Sequence, residues 1–102
     1  MCRKITMLTR EDILQFLREN KERFAEQYGV TKIGLFGSFA RNEATEESDV
    51  DVCVEMPPYF SSVAAVREEL ESSFRRSVHI VRFREELREL FKERLKRDTI
   101  YV

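Results

Sequence analysis

The chain has 102 residues, enough for one domain with a modest core, and its 18 basic and 19 acidic residues nearly cancel. With 36% of residues charged but no net excess, bulk charge does not drive it to nucleic acid or to a membrane surface. No apolar run reaches membrane-spanning length, and the N-terminal MCRKITMLTR lacks the apolar segment of a signal peptide, so a soluble cytoplasmic protein is expected.

The first helix is expected after Thr9, whose hydroxyl can cap it, with Asp12 as the capping-box acid. Ile13, Phe16, Leu17, Phe24 and Tyr28 then recur at helical spacing, and Gly29 suits a left-handed stop. A short strand follows over Thr31 to Phe36. Gly37-Ser38 turns out of it into a short helix-prone piece, SFARNE. Next comes the strand SDVDVCVEM, whose alternation puts Asp49, Asp51, Cys53 and Glu55 on one face and Val50, Val52, Val54 and Met56 on the other.

Pro57-Pro58 ends that strand. A helix is expected from Ser62 to Phe74, with Val63, Val66, Leu70 and Phe74 inward, then a strand from Ser77 to Phe83. The spacing predicts a last helix from Arg84 to Lys96 burying Leu87, Leu90, Phe91 and Leu95. The closing TIYV reads as a short edge strand. This alternating order predicts a single α/β (α+β) domain over residues 1–102, a small mixed sheet backed by helices. Cys2 and Cys53 form neither a disulfide framework nor a metal spacing, and Cys53 reads as a small core residue.

Two aspartates one residue apart among valines need a reason. Asp49 and Asp51 point to the same side, about 6.5–7 Å apart along a strand. Carboxylates that close repel unless a proton or a cation lies between them. Mg²⁺ is held by such a pair together with substrate phosphates. Upstream, Gly37 permits close backbone approach, while the Ser38 hydroxyl and nearby N–H groups open a helix suited to phosphate oxygens. Arg41, one turn on, can add positive charge. By itself an Asp-x-Asp is a weak signal, because many solvated strands alternate acid and valine. The glycine–serine turn in front of it favours nucleotide chemistry.

Gly37-Ser38, ten residues, then Asp49-Val50-Asp51 resembles the G-S-x10-D-x-D signature of the nucleotidyltransferase superfamily. The stretch GLFGSFARNEATEESDVDVCVE is similar to the minimal nucleotidyltransferases, small proteins often encoded beside a HEPN-domain partner and often acting as its antitoxin. The resemblance covers most of the chain and is more specific for fold than for activity. It implies that Ser38, with Gly37, holds the triphosphate and that Asp49 and Asp51 bind Mg²⁺. It also implies transfer of AMP from ATP to a hydroxyl of the partner, a tyrosine's, within a hetero-oligomer.

The family pattern has a third carboxylate in a later strand, and here the matching SVHIVRF offers His79 instead. One reading makes its imidazole the general base, since its ordinary pKa lies near neutrality. The other makes it a partly buried strand residue, with the third ligand lost. The alternative function is therefore a weak or inactive nucleotidyltransferase-fold module that neutralises its partner by complex formation. Transfer to a small molecule is disfavoured by the lack of a second domain to shape a pocket. Glu55 lies about 13 Å along the strand from Asp51, too far to substitute. Glu46 and Glu47 read as solvated loop acids. Tyr59 and Phe60 read as partner anchors or as a small satellite under the loop. Arg94, Lys96 and Arg97 read as ordinary complements to a helix C-terminus or as a protein-facing surface.

Overall fold

The computed structural model describes residues 8–102, so Cys2 lies outside the described residues. Helix α1, Arg10–Tyr28, starts at a complete capping box: the Thr9 hydroxyl accepts from the Asp12 N–H while the Asp12 carboxylate accepts from the Thr9 N–H. It stops at Gly29, whose φ of 76° is the expected left-handed cap. Strand β1 is Lys32–Phe36 and the short helix α2 is Gly37–Ala40. Strand β2 is Val50–Glu55, helix α3 Phe60–Phe74 and strand β3 Val78–Arg82. Helix α4, Glu89–Asp98, and the two-residue β4, Ile100–Tyr101, complete the described chain.

The four strands form one mixed sheet in the order β3-β2-β1-β4. β1 pairs antiparallel with β2 and with β4, whereas β2 and β3 are parallel. A parallel pair needs a long crossover, and α3 supplies it. Alternation in β2 sends Val50, Val52 and Val54 into the main core with Ile33 and Leu35 of β1. There they meet Ile13, Leu17 and Phe24 of α1 and Val66, Leu70 and Phe74 of α3. The aspartate face is thereby left to the other side of the sheet. Cys53 is fully buried on that side and Leu95 of α4 is buried apart from the main core, so α4 flanks the aspartate face.

The last helix departs from expectation. Residues 85–87 form a turn and bend, with the Leu87 N–H donating to the Arg84 carbonyl, and Lys92 ties Glu85 back through both its carbonyl and its carboxylate. The helix therefore begins at Glu89, five residues late, and its phase shifts. Leu95 is buried as expected, but Leu90 is 79% exposed. The apolar spacing of Leu87, Leu90 and Phe91 continues through both turn and helix, so periodicity could not mark the break. Helix α3 begins earlier than expected, at Phe60, and Tyr59 and Phe60 stand exposed with no packed satellite beneath them.

Arg23 on α1 and Glu69 on α3 join the two core helices, with the Tyr28 hydroxyl donating to the same carboxylate at 3.1 Å. The hydrogen bond from Arg23 holds the Glu69 carboxyl below its usual range, and the Tyr28 bond adds to this. A lowered folded-state pKa stabilises the protein above the ordinary carboxylate value, about 4.3, and that contribution is lost as pH falls through the folded value. Glu69→Gln is expected to lower Tm modestly at pH 7, as befits a surface pair. Thermal melts of both proteins from pH 7 to pH 3 should converge in acid; a constant difference would mean that packing, not charge, holds this contact.

Candidate active site

The site is built where β1 gives way to α2. Phe36 is the register partner of Asp51, so the residue that follows it, Gly37, must turn beside that carboxylate. Gly37 does so at φ 81°, and a Cβ placed there would collide with the Asp51 carboxylate. Residue 37 is therefore glycine for two independent reasons. Helix α2 is anchored by buried Phe39 and Ala40, and Arg10 of α1 donates to the Ala40 carbonyl at 3.2 Å. Ser38 sits half-buried in its first turn.

The ten-residue spacer after Ser38 is held from an unexpected direction. It leaves α2 through Asn42 at φ 63°, with the Glu43 N–H donating to the Ser38 carbonyl at 2.8 Å. A single nitrogen of Arg76 then donates to the carbonyls of Thr45, Glu46 and Ser48 at 3.1, 2.9 and 2.8 Å. Its guanidinium also lies over the Phe39 ring, 5.3 Å from the ring centroid. Arg76 thus ties the start of β3 to both ends of the spacer that joins Ser38 to Asp49. Nothing in the sequence distinguishes it from Arg75, which precedes it; the signal is purely tertiary.

Asp49 is exposed immediately before β2, and Asp51 is its second residue, with a side chain 24% exposed. Across the parallel pair, His79 is the register partner of Asp51. Its Nδ1 lies 3.5 Å from Asp51 Oδ1, and its side chain is 68% exposed. The expectation that His79 shares the aspartate face holds, whereas the picture of a partly buried histidine does not. Burial, the largest cause, pushes the Asp51 carboxyl above its usual range; Asp49 adds to this, while His79 and, more weakly, Arg41 oppose it. Arg41 itself is exposed, its Nε directed to Glu43 Oε1 at 3.0 Å rather than into the turn. Gly37, Ser38, Asp51 and His79 are thus brought together with Asp49 at the rim, and Arg41 borders the turn with its Nε on Glu43.

The donor set suits one hard cation bound in part by the protein. The half-buried Asp51 is disfavoured as an anion by burial and by Asp49, and a divalent ion would relieve both. Among the described residues no group of three or more His, Cys, Asp or Glu side chains could hold a metal ion. A hollow of about 910 Å³ between residues 84–88 and α4 is lined by none of Gly37, Ser38, Asp49, Asp51 and His79.

Residues 15–102 match the nucleotidyltransferase domain family. The chain belongs to that family. The protein adenylyltransferase MntA of Thermococcus cleftensis is 34% identical over 100 residues, 96% of this chain and 100% of the relative. A Methanocaldococcus jannaschii protein, provisionally named a protein adenylyltransferase, is 36% identical over 94% of this chain and its own full length. Among solved structures, a provisionally named minimal nucleotidyltransferase superposes with a TM-score of 0.75 at 28% identity, covering 94% of this chain and 98% of that one. A chain from a toxin–antitoxin crystal structure with AMP-PNP shares the fold at a TM-score of 0.65 and 19% identity, over 92% of this chain and 72% of that one. The mixed sheet with helices expected from the residues is therefore this family's fold. Among the described residues no helix is long and apolar enough to cross a membrane.

Arg76→Ala should cost about 1–3 kcal/mol, because it leaves three carbonyls without a charged donor. Denaturant unfolding measures the loss, and faster amide exchange over residues 43–49 should accompany it. Loss of stability with no change in exchange there would remove Arg76 from the support of the site.

Proposed function

We propose that the protein is an antitoxin that transfers AMP from ATP to a tyrosine hydroxyl of a HEPN-domain toxin. The observation that carries this reading is the glycine turn seated against a half-buried carboxylate, with Asp49 and His79 on the same rim. The full-length relative named as a protein adenylyltransferase supports the reaction, and the related fold from a toxin–antitoxin structure with AMP-PNP supports the setting.

Asp49 and Asp51 would hold Mg²⁺, which when bound offsets phosphate charge and polarises the phosphoryl group. Gly37 seats the turn against the Asp51 carboxylate, and the Ser38 hydroxyl with the N–H groups of the first turn of α2 would donate to phosphate oxygens. The acceptor oxygen attacks the α-phosphorus in line. A new O–P bond forms as the bond to the α,β-bridging oxygen breaks, and pyrophosphate leaves with the electron pair. The acceptor's proton passes to the imidazole of His79, the exposed base beside Asp51. AMP remains on the tyrosine, where its negative charge and bulk block the toxin.

A second reading has its own observation. The third carboxylate of the family pattern is replaced by an exposed imidazole, and Mg²⁺ prefers oxygen to nitrogen. A protein with a weakened metal site would neutralise its partner by forming the complex alone.

Transfer of α-³²P label from ATP to a co-expressed HEPN-domain partner decides between them. The wild type should label the partner, and Asp51→Asn should abolish labelling while the complex survives. With His79 as base, His79→Ala should lower the rate by about 10²-fold or more. If His79 instead occupies a lost ligand position, His79→Asp should raise transfer by about tenfold. A wild type that binds the partner without labelling it leaves the second reading standing.

A further inference from the structure

Helix α4 was expected to present its arginines to solvent or to a protein partner, yet its buried Leu95 brings two of them to the glycine turn. A cleft of about 410 Å³ opens between Phe36, Gly37 and Arg41 on one side and Phe91, Arg94 and Arg97 on the other. Leu95 and Asp98 also line it. Phe91, Arg94 and Asp98 follow one another at intervals of three and four residues, so a single stripe of α4 faces the turn. The cleft reaches the site through Gly37, which lines it and packs against the Asp51 carboxylate.

Charge on this cleft is unbalanced. Arg97 Nε pairs with Asp98 at 3.2 Å and Arg41 with Glu43 at 3.0 Å, both at exposed positions. Arg94 pairs with no carboxylate among the described residues. Three guanidinium groups bordering one cleft repel one another, and Asp98 is the one acid lining it. Guanidinium groups pair with phosphate through parallel N–H donors, so an extended polyphosphate matches this arrangement in charge and geometry. Exposed pairs such as Arg97–Asp98 are weak enough to exchange for such an anion.

Resting on the nucleotide reading of the Gly37–Asp51 site, we propose that Arg94 and Arg97 form its polyphosphate subsite. They seat the β- and γ-phosphates of the incoming nucleoside triphosphate and retain the departing pyrophosphate. Helix α4 then acts as the far wall of the nucleotide site. Its arginines are binding residues for the leaving group and take no part in proton transfer. A triphosphate held at Ser38 on one side and Arg94 on the other is fixed along its length, which aligns the α-phosphorus for in-line attack.

Calorimetry with inorganic tripolyphosphate, AMP and a non-hydrolysable ATP analogue, each with Mg²⁺, tests the subsite on wild type, Arg94→Gln, Arg97→Gln and the double variant. Circular dichroism confirms that each variant is folded. The double variant should bind tripolyphosphate and the ATP analogue about tenfold more weakly or worse, with AMP affinity unchanged. Arg94→Lys, which keeps the charge but loses the fork, should recover part of the loss. Equal losses for AMP and tripolyphosphate would overturn the proposal in favour of a nucleoside pocket. Unchanged nucleotide affinity, with or without loss of the protein partner, would overturn it while leaving the nucleotide site intact. A wild type that binds neither tripolyphosphate nor the ATP analogue would overturn both.

Discussion

The Asp51 carboxylate occupies the space that any side chain at residue 37 would need, and the rest of the site depends on that exclusion. Glycine at 37 lets β1 end in a left-handed turn directly over β2, so the first turn of α2 opens beside an acid instead of beyond it. A phosphate and a cation can then share one small region. An alanine at 37 would meet both a φ that L residues rarely adopt and the carboxylate itself. The separation of Ser38 from the aspartates in sequence matters less than this contact in space.

Around the contact, the fold separates two tasks by strand alternation. The valine face of β2 supplies the core against α1 and α3, so the aspartate face can carry charge at the cost of little packing. That cost is not zero. Burial and Asp49 together push Asp51 toward its protonated form, and only His79 and Arg41 offset them. A cation beside a partly buried acid under such pressure would relieve both effects. Arg76 supplies the rigidity that this requires: its bonds to three successive parts of the spacer keep Asp49 near Asp51 without adding a carboxylate partner that would compete for either.

Much of this was legible in the residues. The capping box at Thr9, the left-handed stop at Gly29, the period-two alternation of β2 and the order of elements each have a local cause that a single sequence displays. The pairing of His79 with Asp51 followed once the two strands were neighbours, because alternation fixes which side each residue faces. Features set by distant contacts were not legible. Arg76 reaches back across about thirty positions to the spacer carbonyls. The turn at 85–87 is tied by Lys92, and its apolar spacing imitates the helix that follows. The resulting phase of α4 exposes Leu90 and turns Arg94 toward Gly37. Arg41 stands beside the turn as its spacing suggests, and its exposed pair with Glu43 was not legible from that spacing.

The central claim is that a divalent cation and a nucleotide meet at the contact between Gly37 and Asp51. Paramagnetic broadening by Mn²⁺ of assigned amide resonances, in the presence of a non-hydrolysable ATP analogue, locates the ion directly. Signals of Gly37, Ser38, Asp49, Val50, Asp51 and His79 should disappear first, at substoichiometric Mn²⁺, while those of the outer faces of α1 and α3 stay sharp. Broadening that begins instead among Glu68, Glu69 and Glu71 of α3, or that spreads evenly over the surface acids, would contradict the account.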